Sequence, residues 1–136
     1  MTVVTDRSFR LYAPLHVTLA TAIGGPLATG ILLAANYRRI GRHSAARLAA
    51  LGGVVATLLV LGTAWVLPSG FLDLLLAAAY LGIGHEVARQ LQGGVVADHR
   101  SAGGSLHSPW RAVGVGLACV AVVLGLVAML ILLLPE

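Results

Sequence analysis

Apolar positions along this chain gather into four long runs, without the one-sided periodicity of a soluble helix or the alternation of a half-buried strand. Crossing about 30 Å of hydrocarbon takes about 20 helical residues. Four segments approach that length, at about 15–36, 46–67, 71–92 and 111–134. The pattern predicts an all-α integral membrane bundle of four transmembrane helices in two hairpins, a single domain over 1–136.

Punctuation between the runs supports these bounds. Pro14 and Pro109 sit where helices start, since proline at the first helical position loses no needed N–H. Pro68-Ser69-Gly70 ends the second run, Gly93-Gly94 the third and Pro135 the fourth. The fourth run holds no charge from Ala112 to Leu134. The third has a short apolar stretch, Leu74 to Gly84, flanked by Asp73, His85, Glu86 and Arg89. A run that short also suits a re-entrant or interfacial segment.

Composition agrees with a lipid environment. Of 136 residues 58% are hydrophobic and 10% charged, and mean hydropathy is +0.92. A soluble domain carries about 25% charged residues, so this chain could not cover a hydrated surface. Net charge is +4 and every basic residue is Arg. Those arginines fall mainly between apolar runs, as membrane orientation requires, so the charge implies no nucleic-acid partner. The absence of Lys and the abundance of Ala, Gly, Leu and Val suggest a GC-rich bacterial genome. No cleavable signal peptide is expected, and the lone Cys119 packs as a small apolar group.

Arginine placement predicts topology. Arg38, Arg39, Arg42 and Arg47 follow the first run, and Arg100 and Arg111, with Arg89 at the helical edge, follow the third. The positive-inside rule puts both connections in the cytoplasm. Both termini then face outward, with Arg7 and Arg10 outside. Three spans would set the two Arg-rich regions on opposite sides, so the charges favour four.

Few residues are candidates for chemistry. Pro26 in Gly24-Gly25-Pro26 removes a backbone hydrogen bond in the first run and predicts a kink. Its freed carbonyls either face a cavity or ion, or are repaired by Thr21, Thr29 or a neighbouring helix. In the third run Glu86 and Arg89 stand at i, i+3 and can pair, with His85 on an adjacent face. These three form a candidate intramembrane polar site, to be weighed against a helix-end salt bridge. Asp73 is placed to cap that run. No HxxxH, HExxH or CxxC spacing exists, so no metal or cofactor is expected, and no catalytic set stands out. Small residues recur at helical spacing as Ala20/Gly24/Ala28, Gly25/Thr29, Gly52/Ala56, Ala78/Gly82, Gly114/Ala118 and Ala121/Gly125. Such faces let helices approach closely, within the chain or against a partner.

Tyr12-Ala-Pro14, Gly25-Pro26-Leu-Ala, LLAANYRRIGR, AAAY, ARQLQG and Trp110-Arg111-Ala-Val-Gly together resemble small multi-pass bacterial inner-membrane proteins of no assigned activity. The resemblance covers most of the chain and implies a membrane location alone. No glutamate centres the first run, as it would in the four-helix small multidrug transporters. The expectation is a non-enzymatic membrane interaction protein, either an accessory subunit of a complex or an immunity-type protein. It would contact the bilayer and a protein partner or its own copies. The alternative is a homo-oligomeric channel or small transporter built on Gly24-Gly25-Pro26 and Glu86.

Overall fold

The computed structural model describes residues 9–66 and 70–134. They form four helices, α1 (Pro14–Arg39), α2 (His43–Val66), α3 (Phe71–Ser101) and α4 (Pro109–Leu133). Among the described residues the only extended pairing is an isolated parallel bridge between Leu11 and Leu106. By length and composition α1, α2 and α4 are apolar enough to cross a membrane. The Pro68-Ser69 turn, Arg7, Pro135 and the capping role expected of Asp73 lie outside what is described.

Helix starts follow local chemistry. Pro14 and Pro109 stand at the first helical positions, and the Ser108 hydroxyl accepts the Trp110 N–H. The end expected for the third helix at Gly93-Gly94 is corrected. α3 runs on to Ser101, for 31 residues, about 46 Å. A glycine inside a helix costs about 1 kcal/mol relative to alanine. Gln92 and Val96, buried on either side of the pair, hold the helix through it.

The first helix departs most from expectation. Gly25 has φ 67° and ψ −162°, a conformation essentially confined to glycine. It divides α1 into limbs of residues 14–24 and 26–39. The Thr21 and Thr29 hydroxyls lie 2.5 Å apart, and the Asn36 side chain bonds the backbone of Tyr12. In one continuous helix Thr21 and Thr29 would be about 12 Å apart, and Tyr12 and Asn36 about 36 Å. The chain therefore folds back on itself at Gly25. The expected kinked span is a helical hairpin whose limbs, about 16 and 21 Å long, are each too short to cross a bilayer.

This hairpin is the hub of the fold. α2, α3 and α4 each pack on α1, and among the described residues none of the three packs comparably on another. Glycines set the crossings. A Cβ on Gly24 would lie 2.6 Å from the Gly116 carbonyl oxygen, and one on Gly30 would lie 2.6 Å from that of Ala49. Only backbone-to-backbone contact fits there. Ala20, Gly24 and Ala28 are all buried, but the reversal at Gly25 puts Ala28 on the other limb, so they do not form the single helix face expected. On the other helices the contacting glycines are Gly53, Gly84 and Gly116. At the expected Gly52, Gly82, Gly114 and Gly125 a Cβ would meet nothing within 4 Å.

Candidate functional site

Polar groups are scarce here, and most of them close the hairpin. Asn36, near the end of the second limb, accepts the Tyr12 N–H at 2.8 Å through Oδ1. Its Nδ2 donates to the Tyr12 carbonyl at 2.9 Å and to Gln92 Oε1 at 2.8 Å. Gln92 Nε2 in turn donates to the Leu33 carbonyl at 3.0 Å. Asn36 and Gln92 are both buried. Each amide thus uses donor and acceptor, so this polar cluster lies in an apolar core at little net cost.

Residues 9–13 continue from this clamp onto the α3–α4 connection. His107 N–H donates to the Leu11 carbonyl at 2.9 Å, the Tyr12 and His107 rings stack at 4.4 Å, and those of Phe9 and His99 stack at 4.8 Å. Segment 9–13, the α1–α2 turn and the α3–α4 connection therefore share one end of the molecule. Arg10 belongs to that end, because its charge, with those of Arg39 and Arg111, acts on His107. Residues 9–13, Arg10 among them, thus lie at the end of the Arg-rich connections rather than opposite them. α4 leaves this end and reaches the level of the hairpin tip by Val120 to Leu124.

His107 is buried and its Nδ1 lies 3.4 Å from the Arg111 guanidinium, which can only donate. Nε2 then carries the proton of the neutral ring, and it has no hydrogen-bond partner among the described residues. Burial, followed by the positive charges of Arg39, Arg111, Arg10 and His16, lowers the pKa of His107 below its ordinary value of 6.5.

At the tip, the Thr21 hydroxyl donates to the Val17 carbonyl at 2.7 Å, which leaves Thr29 as donor in the Thr21–Thr29 bond. The expected repair of the carbonyls freed by Pro26 is not what these hydroxyls do; their bond joins the limbs of the reversal. Gly84 of α3 lies over the pair, its missing Cβ 3.2 Å from the Thr29 hydroxyl. Gly24, Gly25 and Pro26 line a cavity of about 220 Å³ with Thr57 and Tyr80. Thr57 donates to the Gly53 carbonyl, and no charged side chain lines the space.

The candidate trio of the third helix separates. His85 turns inward, its Nδ1 2.6 Å from the Thr18 hydroxyl, which itself donates to the Pro14 carbonyl. Glu86 turns outward, pairs with Arg89 at 2.9 Å and accepts from Gln90 at 2.6 Å. The side chains of Arg89 and Glu86 are 64% and 42% exposed, so the carboxylate does not face the interior. Of the two readings, the i, i+3 salt bridge is the geometry found. Arg38, Arg39, Arg42, Arg47, Arg100 and Arg111 are exposed, and the Glu86–Arg89 pair is the only ion pair among the described residues.

Sequence reasoning missed Asn36 and Gln92. Both fall at the ends of apolar runs, where an amide reads as an ordinary interfacial residue. Among the described residues no three metal-ligating side chains cluster. No protein-family model, curated protein or solved structure matches the chain.

Proposed function

We propose that this chain is a non-enzymatic interaction protein of a bacterial inner membrane, an accessory subunit or an immunity-type protein that completes its packing on a partner. The carrying observation is the hub arrangement. α2, α3 and α4 pack on the hairpin and, among the described residues, none packs comparably on another, so the seams between them open toward the surroundings. A self-sufficient bundle closes such seams.

The charge pattern orients the protein. All the described arginines lie on segments that meet at or near one end, and the positive-inside rule makes that end cytoplasmic. The hairpin then dips from the cytoplasmic face to mid-membrane and returns. α2, α3 and α4 cross, leaving segment 9–13 inside and the end of α4 outside. Solubilisation in mild detergent and affinity purification test the reading. A stable complex with a second protein is the expected result, and recovery of self-associated chains alone would count against it.

One observation favours a second reading, a homo-oligomeric channel or transporter. Broken backbone at membrane depth is tolerated where it is buried or lines a pathway, and Gly25 is such a break. Its pathway would run past Thr21, Thr29 and the tip rather than past Glu86. Ion flux through proteoliposomes under an imposed gradient tests it, and zero flux disposes of it.

A further inference from the structure

Between α2 and α3, over the second limb of the hairpin, runs a groove of about 530 Å³. Its walls include Leu33 and Tyr37 of α1, Ala49 and Gly52 of α2, and Ile83 and Leu91 of α3. The groove is almost wholly apolar, and of its few hydroxyls that of Thr29 is already bonded to Thr21. Along α1 it extends from Tyr37 down to Pro26 beside the tip. Eleven residues of helix rise about 16 Å, half of a hydrocarbon core of about 30 Å. Along α2 it extends from Ala45 to Val60, about 22 Å. A partner helix crossing the membrane needs more than that, whereas an acyl chain needs no more.

One arginine, Arg42, stands in the chain between Tyr37 and Ala45, two residues at the head of the groove. Arg42 N–H donates to the Tyr37 carbonyl at 2.8 Å and its carbonyl accepts the Ala46 N–H at 3.0 Å, so Arg42 directly precedes α2, three residues before Ala45 of the groove wall. Arg42 is exposed and forms no ion pair among the described residues. Asp98, on the same face of α3, lies seven residues beyond Leu91, about 10 Å past the groove. We infer that this groove holds one acyl chain of an anionic phospholipid of the Arg-rich leaflet, with its headgroup at Arg42. Basic sites between membrane helices select anionic headgroups on this electrostatic ground. The inference rests on the membrane placement proposed above.

Native mass spectrometry of the detergent-purified full chain tests it, with dioleoyl phosphatidylglycerol and dioleoyl phosphatidylcholine as probes. One phosphatidylglycerol retained per chain, in preference to phosphatidylcholine, is expected. Arg42→Gln should reduce that preference about fivefold, the effect of one surface basic residue. Gly52→Leu should abolish retention of both lipids, since a side chain there enters open groove rather than another helix. Ile83→Trp, filling the groove from the opposite wall, should do the same. Gly82→Leu, equally open but outside the groove, should not. Monodisperse elution certifies each variant as folded. Retention unchanged by both filling variants overturns the inference, as does a dimer that either of them dissolves, because the occupant is then a second copy. Recovery of the chain from cells without detergent would instead overturn the membrane placement.

Discussion

The side chain of Asn36 hydrogen-bonds both the N–H and the C=O of Tyr12, a residue 24 positions earlier in the chain. An asparagine pairing with a peptide unit in this way imitates a strand partner. It fixes the start of α1 beside its end, and Gln92 ties that junction to α3. Asn36→Leu strands buried groups on Tyr12 and Gln92, each worth about 1–3 kcal/mol when unpaired. A loss of about 3 kcal/mol in detergent unfolding is expected. Gln92→Leu, which leaves the Tyr12 pairing intact, should cost less.

The reversal at Gly25 places residues 9–13 on the same side as the α1–α2 turn. Single cysteines at Phe9, Ser44 and Ser101, in a Cys119→Ala background, should be labelled by an impermeant maleimide from one face of oriented vesicles. A reporter fused after residue 136 should be reached from the other. Labelling of Phe9→Cys from the face opposite Ser44→Cys would show that α1 crosses.

Backbone conformation and crowding separate at adjacent glycines. Gly25→Ala meets no atom within 4 Å but must hold φ near 67°, which costs about 1–3 kcal/mol. Gly24→Ala has ordinary helical backbone but drives a methyl to 2.6 Å from the Gly116 carbonyl. Both should lower the unfolding midpoint. Gly116→Ala, which also crowds the crossing, should not rescue Gly24→Ala. Gly52→Ala, open on all sides, should raise the midpoint slightly through helix propensity.

Stability should fall with acid through His107. Its folded pKa is lowered below 6.5, so the unfolded chain binds the proton more tightly. The contribution is fully present above pH 6.5 and is lost as pH falls toward the folded value. The midpoint should drop between pH 7.5 and 5, and His107→Phe, keeping the ring stack on Tyr12, should flatten that dependence.

Glu86→Gln should leave the unfolding midpoint unchanged, because the carboxylate is exposed and its pairing is local. A large loss of stability, or of any measured flux, would show that Glu86 acts from a buried position in an assembly.

Four apolar runs were enough to find four helices, and Pro14 and Pro109 marked two of their starts. The reversal was harder to see. Hydropathy is blind to direction, so a hairpin of two half-length limbs and one full span score alike. Gly24-Gly25-Pro26 announced a break, but the return was decided by Asn36, Tyr12 and Gln92, whose pairing is non-local. Gly93-Gly94 misled for a related reason, since burial of Gln92 and Val96 overrode a local helix-stop signal. Glu86 and Arg89 were legible as a pair from spacing alone. Their outward direction depended on which face of α3 meets the hairpin.

The hub arrangement also dictates an order of construction. During synthesis α1 emerges before the helices that cover it, yet Gln92, which ties its closed ends to α3, lies 56 residues beyond Asn36. Gly116 and Cys119, which cover Gly24, come later still. The hairpin is therefore fully covered only once α3 and α4 have been made. A ribosome that stalls after α2 leaves a hairpin held by Asn36 and Tyr12 but without Gln92 and without two of its three walls.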